Sequence, residues 1–166
     1  MSPTMRCAAG AVAVFCAVVL GLPMSGRAGN NGQLPRSDAN SLLVSQIQSE
    51  LTTATYHAGE LAPKATTLAG AQLHLHHVVN CLEGPAGADF YAAAGDPCQR
   101  QGKGIIPDLQ AAVQQNLPGA NAALQEAQTS KMLVRQALAS MNLSQAQSFA
   151  LTVSKHLQTA DKYISE

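Results

Sequence analysis

The chain has 166 residues, 46% of them hydrophobic and 12% charged, with 10 Lys and Arg set against 10 Asp and Glu. A chain without net charge or a basic stripe is a poor partner for nucleic acid or an anionic membrane. With no Trp, three Phe and three Tyr, it also lacks the aromatic side chains that wall a haem pocket.

The N-terminus reads as an export signal. Arg6 precedes an apolar run over residues 7–22, and Gly26, Arg27 and Ala28 put small residues where a signal peptidase reads them. The run is about 16 residues long, short of the roughly 20 that span a bilayer. Residues 1–28 are therefore expected to be cleaved, giving a periplasmic or secreted protein with no further membrane attachment. Arg6 and Arg27 leave with the signal, so 8 Lys and Arg face 10 Asp and Glu, a charge near −2. Cys7 and Cys16 leave too. Cys81 and Cys98 then remain as a single pair in an oxidising compartment, where a disulfide is the expected state.

Residues 29–37 are a polar, Gly- and Asn-rich lead-in. From 38 to 166 the apolar period is helical, as in one domain with a single core. Val44, Ile47, Leu51, Ala54, Ala58 and Leu61 form a stripe that Pro63 is expected to end. Leu68, Ala71, Leu75, Val78 and Leu82 form a second, stopped by Gly84 and Pro85. Residues 83–105 are rich in Gly and read as a long loop. Helical signals return at Pro107, a first-turn proline, and Pro118 and Gly119 interrupt them. A stripe from Ala120 through Val134 to Met141 follows. Ser144 and Gln147 read as a capping box for a last helix, striped by Ala146, Ala150, Val153, Leu157, Ala160 and Ile164. The expected fold is all-α, an antiparallel four-helix bundle with a long disulfide-closed loop between helices 2 and 3.

The densest chemistry is His74, His76, His77 and Cys81. At 3.6 residues per turn, His74 and His77 lie about 60° apart and one turn apart, so both rings can reach one ion, whereas His76 is about 160° from His74. Two imidazoles do not close a site, since tetrahedral zinc takes four ligands. With a turn centred near Pro63, Glu50 stands level with His77, so Glu50, His74 and His77 make the best-matched trio. His57 and His156 also flank core stripes and need helix offsets to join it. Imidazole donors suit Cu, Zn or Ni ions. The competing reading is that these histidines border the core and bond a neighbour or water.

Other chemistry falls away. There is no Cys-x-x-Cys-His haem attachment, no phosphate loop or dinucleotide fingerprint, and no pair of Glu-x-x-His motifs, so neither haem, nucleotide nor enzymatic turnover is expected. Leu143, Ser144, Gln145, Ala146 and Gln147 resemble the Leu-Thr-x-x-Gln signature of periplasmic envelope-stress chaperones. The resemblance spans five residues, has Ser for Thr, and occurs in one copy where that family carries two; a helix cap accounts for it. Phe90 and Tyr91, inside the disulfide-closed loop, offer a recognition surface for an envelope protein or a lid on the helices. Two functions are thus in view: binding or buffering a divalent transition metal, and a non-enzymatic interaction or chaperone-like module.

Overall fold

The computed structural model describes residues 35–166; the expected signal, and residues 29–34 of the lead-in, lie outside the described residues. Among the described residues all regular structure is helical. Helix α1 begins inside the expected lead-in, and runs as Arg36–Tyr56, a π-turn His57–Leu61 and a closing α-turn Ala62–Lys64. Helix α2 is Leu68–Glu83, α3 is Ile105–Gln114, α4 is Ala120–Ala139 and α5 is Leu143–Ser165. Five helices stand where the stripes suggest four, because the segment around Pro107 is a helix in its own right. No helix among the described residues is long and apolar enough to cross a membrane.

Pro63 does not end α1. Proline has no N–H, and its ring collides with the carbonyl of residue i−4 in a regular helix. Here the preceding turn widens, the Ala62 N–H reaching back to the His57 carbonyl in the i→i−5 pattern, and the chain passes Pro63 to stop at Lys64. The turn to α2 therefore lies at residues 65–67, where the Thr67 hydroxyl caps α2 by accepting from the Gly70 N–H at 3.1 Å.

The cap of α5 also moves. Asn142, not Ser144, is the last extended residue, and its Oδ1 accepts from the Gln145 N–H at 3.2 Å. Gln147 instead donates to the carbonyls of Pro63 at 2.8 Å and Ala65 at 2.9 Å, tying the start of α5 to the α1–α2 turn.

The stripes pack as the period requires. Ile47, Leu51, Ala54 and Ala58 of α1, Leu75, Val78 and Leu82 of α2, Val134 of α4, and Val153 and Leu157 of α5 are fully buried. Met141 departs from its stripe: α4 ends at Ala139, leaving Met141 91% exposed. Many core positions are Ala, which permits close helix approach but buries less apolar area than Leu or Ile, each worth about 1.5–3 kcal/mol when fully buried.

The loop between α2 and α3 has little regular structure, a single 3-10 turn at Ala92–Ala94, so its backbone must find partners elsewhere. Side chains supply them. The Asn80 carboxamide donates to the carbonyls of Tyr91 at 3.0 Å and Gly95 at 2.6 Å and accepts from the Tyr91 N–H at 2.8 Å. Glu83 accepts from the Asp89 N–H, Asp108 from the Lys103 N–H, and Glu50 from the Gly104 N–H. The two ends meet at Gly84 and Gly104, both with positive φ. A Cβ on Gly84 would fall 1.8 Å from the Lys103 carbonyl oxygen, and one on Gly104 would fall 2.5 Å from the Gly84 nitrogen.

Cys81 and Cys98 form the expected disulfide, Cα to Cα 5.2 Å, with both residues buried. Closing a loop of this size restricts the unfolded chain by about 3 kcal/mol. Urea unfolding of Cys81→Ser/Cys98→Ser is expected to show a loss of that order, and an unchanged midpoint would contradict it.

Candidate metal centre

His57 opens the π-turn of α1, and His74 and His77 stand one turn apart on α2. With the reversal at 65–67, His57 lies nine residues before residue 66, His74 eight after it and His77 eleven after it. At 1.5 Å of rise per residue the three are level to within about one turn. Their rings converge. His57 Nδ1 is 3.3 Å from His74 Nδ1 and 3.2 Å from His77 Nδ1, and one nitrogen from each residue lies within 4.8 Å of the other two.

The protons do not fully satisfy this arrangement. His77 Nε2 is 2.7 Å from the Ala94 carbonyl oxygen. A carbonyl only accepts, so Nε2 carries the hydrogen and Nδ1 of the neutral ring presents a lone pair. If His57 Nδ1 donates to His77, it has no lone pair left for His74. If it accepts from His74, it meets His77 lone pair to lone pair. In either arrangement of neutral rings only one of the two short contacts can be a full two-centre hydrogen bond, and the other is at best a weaker share of the same proton. A cation at the centre removes the conflict, because all three nitrogens then act as donors to it. A tetrahedral ion with bonds of about 2.0–2.1 Å holds its nitrogens about 3.3–3.4 Å apart, and the two short contacts match that spacing.

Electrostatics disfavour protonation of His57 and His74. Burial, then repulsion from His77 and His74, pushes the His57 imidazole down to about 4. Burial and then His77 push His74 down from its ordinary value as well. A neutral ring keeps one nitrogen lone pair, which a metal ion can take without removing a proton from an imidazolium.

The structure brings together three of the five residues that the sequence offers as ligands. Glu50 stands apart from the three histidines. It lies seven residues before His57 on α1, about 10 Å along the axis, and is 1% exposed at the base of the loop. Its Oε1 accepts from the Gly104 N–H at 2.9 Å and its Oε2 is buried without a partner. His156 stands apart too: its Nδ1 pairs with Glu126 Oε2 at 2.6 Å, joining α5 to α4. His76 faces away as its helical angle requires, its ring 4.4 Å from that of Tyr91. Phe90 and Tyr91 border a cavity of about 320 Å³ with His76 and Arg135; Tyr91 is 47% exposed and Phe90 is half-buried.

A turn at Pro63 leaves His57 about four residues too low. The signal that places it correctly is Thr67, a capping residue just before the apolar stripe of α2. Comparison with known protein families, curated proteins and solved structures finds no match to this chain.

Glu50 gives the fold a pH dependence separate from the histidines. Burial, opposed by the Gly104 N–H and reinforced by Asp108 and Asp96, pushes its carboxyl from 4.5 up to about 8. The folded chain then holds a proton that the unfolded chain has released. The contribution is fully present below about pH 4.5 and is lost as pH rises through about 8. Glu50→Gln keeps the acceptor and removes the ionisation. The stability of the variant relative to wild type is expected to increase steadily across that interval in urea unfolding, and a difference independent of pH would contradict the assignment.

Proposed function

We propose that this chain is an exported, non-enzymatic protein of the periplasm or cell exterior that binds or buffers a divalent transition metal through Nδ1 of His57, His74 and His77. The observation that carries the reading is the meeting of three imidazole nitrogens at two short contacts, of which the protons of neutral rings can fill only one with a full hydrogen bond. The donor set is all nitrogen, since Cys81 and Cys98 are spent in the disulfide and Glu50 is engaged at the loop base. Such a set suits Zn, Cu and Ni over Mg or Ca, which take oxygen. The contact lengths favour a tetrahedral ion such as zinc, with the fourth position left to solvent or an exogenous donor. In this reading the four long helices serve as an antiparallel bundle that holds the site, and α3 carries the returning loop.

Calorimetric titration of the signal-free protein with Zn(II), Cu(II) and Ni(II) tests it. Binding at micromolar affinity or tighter is expected for at least one ion, about 8 kcal/mol or more. His57→Ala and His77→Ala are each expected to weaken it at least about tenfold, or roughly 1.4 kcal/mol. Glu50→Gln and His156→Ala should leave it unchanged. Affinity that survives His57→Ala but falls with Glu50→Gln would transfer the site to the other trio, and no binding by the parent protein would remove the reading.

A further inference from the structure

His77 depends on the loop for its orientation, and the loop depends on α2. Three residues within two turns of that helix hold it. His77 meets Ala94, Asn80 holds Tyr91 and Gly95, and Cys81 is bonded to Cys98. Asn80 is fully buried, and its three hydrogen bonds bracket the 3-10 turn Ala92–Ala94, two on Tyr91 before that turn and one on Gly95 after it. Ala94 is thereby fixed with its carbonyl oxygen 2.7 Å from His77 Nε2.

We propose that this loop is the outer shell of the metal centre, with Asn80 as the positioning residue that holds the Ala94 carbonyl against His77. The inference rests on the metal-binding reading above and adds to it what tunes the site. A neutral imidazole carries its hydrogen on either nitrogen, and only the Nε2–H form offers Nδ1 to an ion. The Ala94 carbonyl selects that form and fixes the plane of the ring before the ion arrives. Outer-shell partners of this kind, a carbonyl on the far nitrogen of a ligating histidine, carry about 10- to 100-fold of metal affinity when lost. The loop is also the part of the structure that opening the disulfide releases. Metal affinity therefore depends on the Cys81–Cys98 anchor of the loop, although neither sulfur touches the ion.

The test uses zinc titration of the signal-free protein together with ¹⁵N NMR of its imidazoles in the metal-free state. Wild type is expected to show His77 as a single Nε2–H tautomer. Asn80→Ala is expected to mix the tautomers and to weaken zinc binding by about 10- to 100-fold. Truncating a fully buried Asn threatens the fold, so Ala93→Gly/Ala94→Gly, which loosens the turn at the surface, provides a second variant with the same expected result. Cys81→Ser/Cys98→Ser provides a third. An Nδ1–H tautomer of His77 in wild type overturns the inference. So does unchanged zinc affinity in variants that remain folded, and in that case the metal site itself stands. Absence of zinc binding by wild type overturns the inference, and absence of Cu(II) and Ni(II) binding as well overturns the metal-binding reading.

Discussion

The arrangement of this protein depends on how the chain passes Pro63. A proline within a helix must lose one backbone hydrogen bond and avoid the carbonyl behind it. A chain that stopped there would reverse early and leave His57 beside the turn. Widening the preceding turn into the π form at His57–Leu61 lets α1 run on to Lys64, which moves the reversal to residues 65–67. That shift of three residues in the centre of the turn, from 63 to 66, sets the register of α1 against α2, and that register brings His57 level with His74 and His77. The π-turn begins at His57 itself, in keeping with the frequent occurrence of such turns at functional positions. Gln147 holds the reversal from the other side, its carboxamide donating to the carbonyls of both Pro63 and Ala65.

The second organising feature is polar. The α2–α3 loop carries little hydrogen-bonded structure of its own, and side chains from the helices satisfy it: Asn80 and Glu83 at the end of α2, Glu50 on α1, and Asp108 on α3. Such groups are costly to bury and are retained where their partners are fixed. They leave a rigid loop on a core whose many alanines contribute modest apolar area. The rigidity bears directly on the site, because the same loop supplies the carbonyl that orients His77. The fold and the arrangement of the histidine cluster thus share several residues. Glu50, which the sequence suggests as a ligand, contributes to the loop base instead.

Much of the helical framework is legible from apolar spacing alone. The stripes of α2 and α5 are buried nearly residue for residue, and Cys81 and Cys98 pair as the compartment argument implies. The angle between His74 and His77 and the turning away of His76 also follow from helical geometry. The third histidine of the cluster does not. Choosing Glu50 over His57 requires knowing where the turn lies, and Pro63 is misleading because a proline ends most helices but not one that can widen ahead of it. His156 flanks its stripe as expected, yet its neighbour is Glu126 from a different helix, a pairing that no spacing within one helix reveals. Asn80 is equally silent in sequence, since its role lies in backbone groups of a loop whose path the spacing does not encode.

The central claim is that three imidazoles, one from the π-turn of α1 and two from α2, hold a single ion through their Nδ1 atoms. Zinc-loaded crystals measured at the zinc absorption edge locate the ion without reference to any assumed ligand. The account places the anomalous peak within about 2.0–2.1 Å of Nδ1 of His57, His74 and His77, with the loop carbonyl of Ala94 still bonded to His77 Nε2. A peak between His156 and Glu126, at Glu50, or on the His76 side of α2 would contradict it.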